Sequence, residues 1–108
     1  MEILKTKNYL KEYRKKITNL HKQKEIEELN NIENLIIKPS NLKEVIYNPL
    51  SIVYGIEKKN GDLKEIYTAK INEKLRLYMR PVGEYPYNLV EIDIIAFEKI
   101  DDKHYGDG

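Results

Sequence analysis

In the stretch "KLRLYMR" from Lys74 to Arg80, apolar and polar positions alternate without a fault. Leu75, Leu77 and Met79 fall on one parity; Lys74, Arg76, Tyr78 and Arg80 fall on the other. A period of two is that of a strand with one face buried. The same rhythm runs through "LKEIYTAKI" before it and "NLVEIDIIAF" after it. "NGD" at 60–62 is a hairpin turn signal, Asn72-Glu73 makes a tight connection, and "PVGEYPY" breaks the chain once more. Parity assigns Tyr67, Ala69, Ile71, Leu75, Leu77, Met79, Val90, Ile92 and Ile94 to the covered face. Thr68, Lys70, Lys74, Arg76, Tyr78, Arg80, Glu91 and Asp93 go to the opposite, open face.

Upstream the period changes to that of a helix. Leu10, Tyr13, Ile17 and Leu20 are spaced by three and four, with Thr6 placed as N-cap. Ile26, Leu29, Ile32, Leu35 and Ile36 form a second stripe that Pro39 limits. The join from Thr18 to Lys22 holds no Gly or Pro, so two helices or one bent helix satisfy it equally. "SNLKEVIYNP" reads as a short helix with Asn41 as cap, Glu44 three residues on as in a capping box, and Pro49 closing it. "MEILK" fits either an edge strand or the lead-in to a helix. Helices about 6–46, a β-meander about 52–97 and a tail 98–108 make one α+β domain over 1–108. Its N-terminal helical pair packs on one face of a small antiparallel sheet.

Composition narrows the classes. A chain of 108 residues supports one core. It has no cysteine, hence no disulfide and no thiolate metal site. No apolar run approaches the roughly 20 residues of a membrane span and no signal-peptide pattern opens the chain, so a soluble, cytoplasmic protein is expected. Net charge is only +1, but it is unevenly spread. Lys5 to Lys24 holds eight basic residues and one acid, whereas from Pro81 onward two basic residues face seven acids. A polarised surface follows, although lysine-rich helices that simply face water account for any single run.

The open face carries the candidate chemistry. Arginine is scarce, at Arg14, Arg76 and Arg80, and two of the three share the row with Tyr78. A guanidinium fork matches phosphate, and a tyrosine ring stacks on a base, so the row suits a polyanion. An ordinary solvated face, with Glu91 and Asp93 pairing Arg76 or Arg80, explains the same residues. His21, among lysines, reads as surface. His104 follows the last strand beside Tyr105, and an imidazole titrating near neutral pH suits acid–base work on RNA. Two distant histidines give no metal-ligand spacing, and no Gly-rich phosphate loop or GxSxG elbow is present. No metal or other cofactor is expected.

Gly61-Asp62, the run Thr68-Ala69-Lys70-Ile71, the strand Arg76-Leu77-Tyr78-Met79 and the ending His104-Tyr105 occur in the order and spacing of a family. Over roughly residues 50 to 106, with two helices before it, the chain resembles the RelE/ParE superfamily of toxin–antitoxin toxins, nearest the HigB-like branch. The resemblance implies a ribosome-dependent mRNA endoribonuclease, silenced by a cognate antitoxin, in which the substrate's 2′-hydroxyl attacks the adjacent phosphate without a metal. Carried over by position, Arg76 stabilises the phosphorane, Lys70 holds the scissile phosphate and His104 moves a proton, with Tyr105 beside it. Lys74, Arg80, Tyr78, Lys58 and Lys59 become RNA contacts. The resemblance also admits a non-catalytic, ParE-like inhibitor of DNA gyrase, or an inactive homologue kept for antitoxin binding. Three features depart from the pattern: Lys70 replaces the usual strand arginine, Glu65 a frequent glycine, and the net charge is low for a ribosome binder.

Overall fold

The computed structural model describes residues 1–59 and 66–102. Its elements are β1 (Glu2–Lys5), α1 (Lys7–Lys16), a 3-10 helix (Thr18–Leu20), α2 (Gln23–Ile37), α3 (Leu42–Ile46), α4 (Leu50–Val53), β2 (Glu57–Lys58), β3 (Tyr67–Lys70), β4 (Leu75–Pro81) and β5 (Ile94–Asp102). They build an α+β domain with the sheet order β1-β5-β4-β3-β2. The expected antiparallel sheet gains a parallel edge, because β1 runs alongside β5 in the same direction. "MEILK" is therefore a strand that leads into α1, and Thr6 makes the join. Its hydroxyl accepts from Tyr9 N–H and lies 3.0 Å from the Phe97 and Glu98 carbonyls of β5.

The stripe of α1 is rotated from the expected one. Leu10 and Leu20 are exposed, while Tyr9 and Ile17 are buried with Tyr13 packed against the core. Residues 9, 13 and 17 repeat every four, and counting Tyr9 as apolar would have found the stripe. Its ring meets Phe97 edge-on, with centroids 5.3 Å apart, and burial pushes its hydroxyl pKa up. His21, exposed and left-handed at φ 54°, ends the 3-10 helix and separates α1 from α2, so the join forms two helices. In α2 the expected Leu29, Ile32, Leu35 and Ile36 are the buried positions. Asn41 caps α3 by accepting from Glu44 N–H, and Glu44 reaches back to Ser40 N–H, one residue earlier than a standard box.

Two boundaries differ from the sequence reading. A helical turn, α4, occupies residues where the meander was expected to begin, and Asn48 Oδ1, just ahead of it, accepts from Leu50 N–H. The last strand begins at Ile94, so "NLVEID" forms a turn that leaves Val90 exposed. β5 also bulges. Tyr78 pairs with Lys99 while the next residue, Met79, pairs with Phe97, which leaves Glu98 as the extra residue. The bulge resets parity, so Ile95, Phe97 and Ile100 line the core together with Leu75, Leu77 and Met79 of β4. Ile94 is only half-buried, which corrects its assignment to the covered face along with that of Val90.

Candidate functional site

Cross-strand register decides what the sheet face opposite the helices presents. Lys70 of β3 pairs with Arg76 of β4, which pairs with Asp101 of β5. The next row is Thr68, Tyr78 and Lys99, and the row after it holds Arg80 and Ala96. Directly opposed side chains start about 4.5–5.5 Å apart at Cβ, so the two cations expected to act on one phosphate are neighbours.

The β3–β4 turn fixes Arg76. Asn72 Oδ1 accepts from Lys74 N–H at 2.8 Å and Leu75 N–H at 2.7 Å, which closes the turn. Asn72 Nδ2 donates to Glu25 of α2 at 3.2 Å and ties the turn to the helical layer. The Arg76 Nη1 then donates to the Asn72 carbonyl at 2.6 Å and the Leu75 carbonyl at 3.1 Å. Nε and Nη2 have no partner among the described residues. They form the edge of a guanidinium that grips phosphate with two parallel bonds. No carboxylate there neutralises Arg76, since Asp101 opposite lies 3.6 Å from both Lys16 and Lys99. Neither Glu91 nor Asp93 pairs with Arg76 or Arg80; both acids are exposed ahead of β5.

Lys70 is placed from the other side. Its N–H donates to the Tyr54 carbonyl at 2.8 Å, where the chain turns through Gly55. Gly55 has φ +62°, and a Cβ there would sit 3.0 Å from Lys70 Cβ, so both backbone conformation and space require glycine. The Lys70 ammonium contacts Glu73 at 2.7 Å, an exposed pair that water screens. Lys74 stands exposed in the turn beside it.

The remaining expected contacts distribute unevenly. Arg80 is exposed and meets Glu98 at 3.0 Å. Tyr78 is corrected: only 3% exposed, it lies under Lys99, whose ammonium is 4.7 Å from the ring centre, so its ring is not offered to a base. Thr68 beside it is also buried. Lys58 pairs with Tyr67 and follows the core-facing parity, and Lys59 has its ammonium 3.9 Å from Glu57; neither joins the Lys70–Arg76 row. His104, Tyr105, Gly61, Asp62 and Glu65 lie outside the described residues.

Sequence reasoning missed Lys99, Asp101 and Lys16. Lys16 of α1 reaches Glu12 at 2.9 Å and the Ile100 carbonyl at 2.8 Å as well as Asp101. Burial pulls down the pKa of this ammonium, but its bond to Glu12 and the charges of Glu12, Asp101 and Asp102 raise it overall. The Glu12 carboxyl is held low, chiefly by that bond to Lys16. Ending the last strand at Phe97 hid the first two, although "EKIDD" continues its alternation. Among the described residues no three His, Asp or Glu side chains converge as metal ligands, and no helix is long and apolar enough to cross a membrane.

The sequence matches no family profile and no curated protein. Solved structures do resemble it. The crystal structure of YafQ from E. coli strain BL21(DE3) superposes with a TM-score of 0.66 at 16% identity, covering 94% of this chain and 92% of that one. A histidine-to-glutamine variant of E. coli YafQ gives 0.65 at 18% identity, with the same coverage of both chains. A YoeB/ParE toxin from Agrobacterium tumefaciens gives 0.65 at 13% identity, covering 96% of this chain and 100% of that one. At such identities the likeness is one of architecture: the chain has the fold of the RelE/ParE-like toxins.

Proposed function

We propose that this chain is the toxin of a toxin–antitoxin pair, of the HigB-like branch, and that it cleaves mRNA on the ribosome. The observation that carries the reading is the register Lys70–Arg76 on the face opposite the helices of a RelE/ParE-like fold. Two neighbouring cations, one with a phosphate-gripping edge unengaged, suit a reaction whose transition state is a dianionic phosphorane. β5 pairs Asp102 with Leu75 at the same end of the sheet, and His104 is two residues further along the chain.

In this reaction the substrate's 2′-oxygen attacks the adjacent phosphorus and gives up its proton. The bond from phosphorus to the 5′-oxygen breaks, leaving a 2′,3′-cyclic phosphate, and the 5′-oxygen takes a proton. Lys70 holds the phosphate in line and Arg76 stabilises the charge gathering on its equatorial oxygens. His104 moves a proton at the 2′-hydroxyl or at the 5′-oxygen. Lys74 and Arg80, exposed on either side of Arg76, contact the RNA backbone. Every bond made and broken is in the substrate, so no cofactor is called for.

The test is induction of the chain in a bacterial host, beside Arg76→Ala and His104→Ala, with mRNA mapped for new 5′ ends. Growth arrest with in-frame cleavage, lost in both variants, is the expected result. Arrest without cleavage that survives His104→Ala would replace this reading with a non-catalytic, gyrase-type inhibitor. Soluble protein that arrests nothing would leave an inactive homologue kept for antitoxin binding.

A further inference from the structure

Beyond Phe97 the outer side of β5 runs past its partner strand, because β1 pairs with it only from Ile94 to Phe97. Side chains of α1 take over there. Thr6 and Asn8 donate to the Glu98 carbonyl at 3.0 and 3.2 Å, and Lys16, at the far end of α1, donates to the Ile100 carbonyl at 2.8 Å. These bonds cover an edge that would otherwise present bare carbonyls. The Lys16 ammonium also lies 2.9 Å from Glu12 and 3.6 Å from Asp101. A cation of the helical layer thus reaches round the sheet edge to an acid on the open face.

Register shows what that acid would do without it. Asp101 stands directly across from Arg76, and an acid and an arginine in that relation are placed to pair. They do not pair. Arg76 gives Nη1 to the Asn72 and Leu75 carbonyls, and its Nε and Nη2 have no partner among the described residues. A carboxylate matches that edge as well as a phosphate does, with the same two parallel bonds. Asp101 is therefore a competitor for the phosphate position that the chain itself carries.

Two ammonium groups hold Asp101 back, at 3.6 Å each, and they are not equivalent. Lys99 lies on the open face, 4.7 Å from the centre of the Tyr78 ring, so a polyanion bound there competes with Asp101 for it. Lys16 is only 27% exposed and is anchored by Glu12 and the Ile100 carbonyl. A side chain already fixed loses little further freedom when it meets Asp101.

We infer that Lys16 is a positioning residue for the phosphate site: anchored at the β5 edge, it holds the Asp101 carboxylate off Nε and Nη2 of Arg76 and keeps them open to a phosphate. The inference rests on the reading of Arg76 as a phosphate ligand, and adds a residue that does not itself touch the substrate.

Two readouts on the full chain test it. The first is the initial rate of 5′-end formation on a defined message. Lys16→Met keeps the stem and removes the charge, and the rate should fall about fivefold or more. Adding Asp101→Asn removes the competitor and should bring the rate back to within about twofold of wild type. Mere loss of the edge cap would not be rescued, since the cap is missing from the double variant as well. The second readout needs no cleavage. Arg14, Arg76 and Arg80 are the only arginines, so the Arg76 Nε–H is assigned in a nitrogen-15 correlation spectrum by its absence from Arg76→Lys. Its signal should move as inorganic phosphate is added to wild type. It should start displaced and respond little in Lys16→Met, and respond again in the double variant. A signal or a rate that Lys16→Met leaves unchanged would overturn the inference. So would a loss that persists in the double variant, which would make Lys16 a structural cap. Wild type that cleaves nothing, yet shows the phosphate response and its loss in Lys16→Met, would refute the ribonuclease and leave the inference standing. A wild-type signal indifferent to phosphate would overturn both the phosphate role of Arg76 and the inference.

Discussion

Replacing Arg76 with alanine separates the two jobs the structure assigns to one side chain. Its Nη1 bonds the Asn72 and Leu75 carbonyls, and those two bonds are what stability stands to lose. A bond from a charged donor is worth about 1.5–3 kcal/mol when buried, but Arg76 is half-buried and water replaces part of what is removed, so about 1–2 kcal/mol in total is expected. A domain of 108 residues unfolds with an entropy near 2.1 cal/mol/K per residue, so each kcal/mol is roughly 4 °C and the melting point should fall by about 4–9 °C. The protein stays folded at 25 °C. Cleavage should suffer far more, by about 10²–10³-fold, the usual cost of losing one preorganised donor at a developing oxyanion. Arg76→Lys keeps the charge but loses the two-pronged edge, and should recover only part of the rate. The assay pairs a circular dichroism melt with the initial rate of 5′-end formation on a defined message. Undiminished cleavage by a folded Arg76→Ala chain would remove Arg76 from the phosphate. A chain that no longer folds would show that the side chain supports the core and that its placement on the outer face is wrong.

Leu77→Ala should do the opposite. The side chain is fully buried between Ala69 and Ile100, and its truncation should cost about 2–5 kcal/mol in urea unfolding; a cost under about 1 kcal/mol would contradict its position in the core. Glu28 offers a pH test, because its Oε1 is buried without a hydrogen-bond partner among the described residues and burial raises its carboxyl pKa. A raised folded-state pKa means the folded protein binds the extra proton. Wild type therefore gains stability as pH falls through that pKa and loses it as pH rises. Glu28→Gln should melt about 1–2 °C higher at pH 7, and the gap should close towards pH 4; a gap that widens on acidification would reverse the argument.

Periodicity and local chemistry were enough for much of this protein. The alternation of Leu75, Leu77 and Met79, the stripe of α2, the Asn41 cap and the turn at Asn72-Glu73 are each specified within a few residues, by contacts a strand or helix makes with itself or its nearest neighbour. The α+β class followed from their order. Where the outcome depended on a distant element, the sequence alone left it open or misled. The Glu98 bulge lets β5 bring both Phe97 and Ile100 to the core against β4, and the turn ahead of the strand, which starts at Ile94, puts Ile95 rather than Ile94 on the core side. Phe97 selected Tyr9 over Leu10 as the buried residue of α1, since an edge-to-face ring fits where the leucine does not point. Tyr78 has the parity of an outward residue yet is covered by Lys99, its cross-strand neighbour on β5. The "PVGEYPY" segment, which had no explanation as a string, folds back on β2 and β3 to wall a cavity. The pairing of Lys70 with Arg76 stands between these cases. Their shared face was legible from alternation, but only the β3–β4 register, closed by Asn72, makes them direct neighbours.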